Sequence, residues 1–107
     1  MMMYGTIARF RLKPDVEAAQ LMALGQEFEQ QAVPGFVAEY VYHMDSDPHE
    51  YYMTVVFTDK EAYAANANSP EQNQRYQKWL ALLDSAPEWH DGEIVYVGHG
   101  TQARSMA

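Results

Sequence analysis

Four side chains with polar tips recur at helical spacing in the middle of the chain: Tyr63, Asn66, Tyr76 and Trp79. Phenol, indole and amide groups on one helix face can wall a pocket for a flat aromatic ligand and donate hydrogen bonds to its oxygens. The same stripe is also what a helix needs to bury itself in a core, and one surface can serve both ends. Asn66 follows Tyr63 by three residues, so the two share a face. A buried amide must find partners. Asn66 therefore either caps a helix break or donates to a ligand oxygen, as a phenolate or carbonyl would require.

Other clusters carry weaker chemistry. His43, Asp45, Asp47 and His49 alternate in the outline of a metal clip, yet metal-binding histidines project from rigid elements with organised outer partners. A polar turn is the expectation here, and no metal is expected. His43 alone could act as a general base, but strand parity groups it with Val37 and Val41, away from the helices. Arg9 and Arg11 share a strand face with Ile7 and are expected to pair with acids such as Glu39 across the sheet. In Trp89-His90-Asp91-Gly92 the last two residues read as a turn, Trp89 as an apolar plug and His90 as exposed.

The bulk numbers narrow the field. Fifteen acidic residues against seven Lys and Arg, a formal charge of −8, leave no basic patch for a phosphate backbone, so no nucleic-acid partner is expected. Cys is absent, which excludes disulfides and thiolate nucleophiles. The N-terminus lacks the pattern of a signal peptide and no apolar run approaches a membrane span; the expectation is a cytoplasmic protein without a membrane partner.

The elements that must position these residues follow from periodicity. Residues 3–12 alternate, with Thr6, Ala8, Phe10 and Leu12 on one face, and Lys13-Pro14 stops the strand. Pro14-Asp15 is expected to open a helix with Leu21, Leu24, Gly25 and Phe28 on one stripe, ended by Pro34-Gly35. Residues 36–44 and 51–58 read as a hairpin across the Asp45-Ser46-Asp47-Pro48 loop. Thr58-Asp59-Lys60-Glu61 and Ser69-Pro70-Glu71-Gln72 are two cap signals, so residues 59–84 form a helix broken near Asn68-Ser69. Glu93 to Gly98 supplies a fourth strand. Residues 1–98 then make one α+β domain with a four-stranded antiparallel sheet, and residues 99–107 a flexible tail. The uncovered sheet face, expected to carry Ile7, Val37 and Val41, gives a homodimer a physical cause.

Val55-Val56-Phe57-Thr58-Asp59-Lys60-Glu61-Ala62-Tyr63 is similar to the third-strand-to-helix junction of the antibiotic biosynthesis monooxygenase (ABM) domain family. Asn66-Ala67-Asn68-Ser69-Pro70-Glu71 and Pro87-Glu88-Trp89 resemble members without an assigned substrate, and the likeness spans roughly residues 3–98. The resemblance implies a ferredoxin-like domain paired into a dimeric α+β barrel, with a cavity between helices and sheet. It implies O2 chemistry on a small quinol- or anthrone-like aromatic without a cofactor, or a non-catalytic barrel holding a small hydrophobic ligand. On that reading Asn66 and Tyr63 are the catalytic residues, and Tyr76, Trp79 and Phe57 line the substrate. The haem-degrading branch has an Asn in its first strand and a Trp and a His on its second helix. Here the first strand has no Asn, and Asn66 and Tyr76 stand at the other two positions, which argues against haem degradation.

Overall fold

The computed structural model describes residues 2–101, so the expected tail lies mostly outside the described residues. The elements are β1 (Tyr4–Arg11), α1 (Ala18–Gln30), β2 (Phe36–His43), β3 (Glu50–Phe57), α2 (Lys60–Ala67), α3 (Pro70–Leu80) and β4 (Glu88–Glu93). All strand pairs are antiparallel, in the order β2-β3-β1-β4. This is the ferredoxin-like α+β arrangement that the order of periodic segments predicts. Among the described residues no helix is long and apolar enough to cross a membrane.

The alternation in β1 sends Thr6, Ala8 and Phe10 towards the helices, where all three are buried, while Ile7 is exposed on the other face. Phe10 stacks on Tyr51 at 5.5 Å between ring centres and meets the edge of Trp79 at 5.0 Å. Leu12, Leu21 and Leu83 complete this core cluster. Each such side chain contributes about 1.5–3 kcal/mol by leaving water.

Two helix starts differ from the sequence expectation. α1 starts at Ala18, not at Pro14, because Lys13 donates its N–H to the Leu82 carbonyl and Leu12 bridges to Leu83. Those ties, and a turn in which the Val16 N–H donates to the Lys13 carbonyl at 3.0 Å, delay the helix until Glu17, whose N–H is accepted by the Gln20 side chain at 2.9 Å. α2 is capped by Asp59 rather than Thr58, through the Ala62 N–H at 2.8 Å. Ser69 caps α3 as its spacing predicts, accepting from the Gln72 N–H at 3.1 Å, with Pro70 at the first turn.

The fourth strand is the largest correction. It runs from Glu88 to Glu93, so the Asp91-Gly92 pair expected to turn lies within it, and most of the apolar run expected to form it lies beyond. Val95 and Tyr96 are 80% and 83% exposed. Pairing with β1 explains the shift: Gly92 sits opposite Gly5, Asp91 opposite Thr6 and Trp89 opposite Ala8. An edge strand tolerates this polar sequence because its outer side is free to solvent.

β2 departs from strict alternation. Its register slips between Phe36 and Ala38, leaving Val37 as an extra residue. Phe36 still pairs with Phe57, but Glu39 now pairs with Val55, Val41 with Met53 and His43 with Tyr51, all on the helix side. Tyr40 and Tyr42 move to the outer face. The outer face expected to carry Ile7, Val37 and Val41 is therefore better described by Ile7, Tyr40 and Tyr42, which are 52%, 61% and 57% exposed.

Gly35 closes the entrance to β2 at a φ of 79°, and its carbonyl accepts the Thr58 N–H at 2.8 Å. A Cβ at this position would sit 2.5 Å from the Ala62 Cβ on α2. Gly35→Ala is expected to lower stability by about 1–3 kcal/mol through strain and displacement of α2, read by denaturant unfolding.

Candidate active site

A cavity of about 1060 Å³ opens between the sheet and the three helices. Its floor is one rung of the sheet, in which Glu39, Val55, Thr6 and Asp91 stand side by side on β2, β3, β1 and β4. Adjacent strands lie about 4.8 Å apart, so the rung spans about 14 Å. Mostly apolar rungs flank it: Phe36, Phe57 and Tyr4, with Glu93 at the β4 end, on one side, and Val41, Met53, Ala8 and Trp89 on the other. The Thr6 hydroxyl at the centre is buried and has no hydrogen-bond partner among the described residues. A polar belt between greasy walls fits a flat ligand with oxygens at its ends.

Tyr63 and Asn66 both reach this cavity from α2, and Tyr76 and Trp79 reach it from α3. Phe57 forms part of the floor and is almost wholly buried. Trp79 belongs chiefly to the core, while Tyr76 lies 6.1 Å from it and 6.2 Å from Trp89 between ring centres. Trp89 stacks obliquely on Trp79 at 5.5 Å and closes the β4 side, so it lines the cavity instead of plugging a helix end.

The Tyr63 hydroxyl donates to Asp91 at 2.9 Å. Burial, reinforced by that carboxylate, pushes the phenol up to about 12. Tyr63 is thus neutral in ordinary buffers and acts as a fixed wall with its proton directed at Asp91.

Asn66 is oriented by a residue that sequence reasoning missed. Arg75 Nη2 donates to the Asn66 Oδ1 at 3.1 Å, Nε donates to Gln72 at 3.1 Å, and Nη1 reaches the Gln31 side chain. The guanidinium also lies 4.9 Å from the centre of the Phe28 ring. With its oxygen engaged, Asn66 keeps its amide N–H groups for another acceptor. The i, i+3 spacing of Gln72 and Arg75 was visible, but the link to Asn66 crosses the break between α2 and α3.

Two further expectations change. Glu39 does not pair with the β1 arginines: Arg9 is held by Glu50 at 2.6 Å and Glu88 at 3.4 Å, and Arg11 by Asp47 at 2.6 Å. The carboxylate instead sits in the cavity, 3.7 Å from where a Cβ on Gly25 would lie. Burial holds its carboxyl above the usual carboxylate range, and the nearby Glu29 adds to the effect. His43 also lies on the helix side, stacked on Tyr51 at 4.7 Å with its Nε2 2.9 Å from the Pro48 carbonyl. It does not line the cavity. Asp47 serves Arg11 and the His49 N–H, and the guanidinium of Arg11 keeps its carboxyl low. Among the described residues no group of three or more His, Asp or Glu is placed to hold a metal.

These features define a class: a ferredoxin-like α+β domain with an aromatic-walled cavity between helices and sheet. A profile of the family described as antibiotic biosynthesis monooxygenase matches residues 3–79, and the chain belongs to that family. Its fold is similar to that of SnoaB, a cofactor-independent oxygenase from Streptomyces nogalater, with a TM-score of 0.76 at 16% identity over 91% of this chain and 97% of that one. A protein of Chloroflexus aurantiacus J-10-fl, named as a candidate antibiotic biosynthesis monooxygenase, is 26% identical over 92% of this chain and 97% of that one, with a TM-score of 0.72. A similarly named protein of Nitrosomonas europaea has a TM-score of 0.74 at 18% identity, over 89% and 92%. No curated protein sequence matches the chain.

The raised Glu39 carboxyl has a consequence for stability. The folded chain holds this proton more tightly than the unfolded chain, so the favourable contribution is complete below the ordinary carboxylate range. It is lost as pH rises through the folded value. Glu39→Gln is expected to raise Tm at about pH 8 and to change it little near about pH 4, measured by thermal melts across that range.

Proposed function

We propose that the protein is a monooxygenase that oxidises a small quinol- or anthrone-like aromatic with O2 and without a cofactor. The observation that carries this reading is the Asn66 amide, fixed by Arg75 in an aromatic-walled cavity of about 1060 Å³. Substrates of this class, once deprotonated, can give an electron to O2 themselves. The protein then needs to exclude water, hold the ring in one plane, and stabilise the anion. Asn66 donates to the developing oxyanion, the Arg75 charge supports it from behind, and Tyr76, Trp79, Phe57 and Tyr63 shape the slot. Family membership and the likeness to an oxygenase support the reaction class.

Oxygen consumption with a panel of quinols and anthrones tests the reading. Turnover by the wild type and a loss of roughly 10²–10³-fold in Asn66→Ala are expected. A panel that gives no turnover, or equal rates for the two proteins, would sink it.

The working unit in this reading is a homodimer joined through the outer sheet face, where Ile7, Tyr40 and Tyr42 lie exposed. Light scattering is expected to give about twice the chain mass of 12.3 kDa, and Tyr40→Glu is expected to shift the species towards one chain. A wild type that scatters as a single chain at micromolar concentration contradicts the dimer.

A further inference from the structure

The polar rung contains two carboxylates, and their surroundings differ. Asp91 receives the Tyr63 hydroxyl, which draws it into a hydrogen bond on the β4 side. Glu39, at the β2 end, has no hydrogen-bond or ion-pair partner among the described residues. Other cations are engaged elsewhere: Arg9 by Glu50 and Glu88, Arg11 by Asp47, and Lys78 by Glu27 at 2.9 Å. Arg75 is occupied by Asn66, Gln72 and Gln31. Lys60 lies over the Tyr4 ring at 5.7 Å. Gly25 on α1 passes above the Glu39 carboxylate without a side chain, leaving it open to the cavity.

We propose that Glu39 is the proton acceptor of this cavity, taking an acidic hydrogen from the end of the substrate that lies over β2. The inference deepens the oxygenase reading and rests on it for the later fate of the anion. In the step assigned to Glu39, its carboxylate takes a proton from a substrate O–H or an activated ring C–H. The bonding electron pair stays on the substrate as phenolate or enolate, and the charge spreads to the distant oxygen. That oxygen is the acceptor for the Asn66 amide, across the cavity on α2. Nothing is oxidised or reduced in this step.

The other titratable groups of the site are poor alternatives. Tyr63 on α2 keeps its proton and donates it in a hydrogen bond to Asp91 on β4. Glu27 on α1 is held by Lys78 of α3, and Glu29 on α1 lies exposed beside Glu39. Arg75 on α3 is a cation without a basic site. His90 is on the outer side of β4 opposite Ile7, near Glu88. Desolvation gives the Glu39 carboxylate a stronger affinity for a proton than an exposed Glu has, which suits a base working near neutral pH.

The test uses anthrone as probe, with the full chain under nitrogen, and reads the visible absorption of the enolate at neutral pH. Wild type is expected to generate the enolate band on binding anthrone, and Glu39→Gln is expected to bind anthrone with a similar Kd while leaving it as the neutral ketone. In air, kcat is expected to fall about 10²–10⁴-fold in Glu39→Gln with little change in KM, and the acid limb of the pH–rate profile is expected to disappear. Glu39→Asp, which keeps the charge on a shorter arm, is expected to recover part of the band; circular dichroism and melting confirm that both variants fold. An enolate band of equal size in Glu39→Gln, or anthrone bound without any band in wild type, overturns the assignment. An enolate that forms under nitrogen but consumes no O2 in air overturns the oxygenase reading and leaves Glu39 as the base.

Discussion

Between Phe36 and Ala38 the second strand carries one residue more than its neighbour. Side chains in a strand alternate with a period of two, so a single inserted residue reverses every face that follows it. Without the bulge, Glu39, Val41 and His43 would look outwards, and Tyr40 and Tyr42 would press on α1. With it, a carboxylate enters a largely apolar cavity and two tyrosines are left on the open side of the sheet. The charge pattern of the site and the character of the outer face both follow from this one slip. Gly35 supports it from just upstream, since only a residue without a Cβ lets the chain turn into β2 beneath α2.

The cavity is arranged around a division of labour along the sheet. At the Phe10 end, Tyr51, Trp79, Leu21 and Leu83 fill the space between helices and strands and form the core. Towards the Thr6 rung the side chains no longer close the gap, and polar groups appear on the floor. Such groups are costly in a dry interior unless they are satisfied. Here Tyr63 satisfies Asp91 and Arg75 satisfies the Asn66 carbonyl oxygen, while the Thr6 hydroxyl and the Glu39 carboxylate are without partners among the described residues. This contrast separates the groups that maintain the cavity from those available to a ligand.

Arg75 shows how the helix break contributes. Ser69 and Pro70 start α3 in a new direction, which brings the first turns of α3 alongside Asn66. A continuous helix would place residues 66 and 75 about two and a half turns apart along one axis, beyond hydrogen-bond reach. The break lets one guanidinium tie α2, α3 and the end of α1 together through Asn66, Gln72 and Gln31. The same contacts fix which atoms of Asn66 face the cavity.

Local pattern carried much of this structure. The alternation in β1, the stripe on α1, the turn chemistry at Asp45 to Pro48 and the Ser69-Pro70 cap were enough to order the elements and to fix the α+β class. They also placed Tyr63, Asn66, Tyr76 and Trp79 on the helix faces that line the cavity, because helical spacing is a property of near neighbours in sequence. Tertiary structure decided the rest. The bulge at Val37 arises from pairing with β3, the true course of β4 from pairing with β1, and the hold of Arg75 on Asn66 from the packing of separate helices. These depend on which strand lies beside which, and periodicity along one segment contains no record of its neighbour's register. For the same reason Glu39, an ordinary surface acid by its sequence, became the unpaired carboxylate of the cavity only when the sheet was assembled.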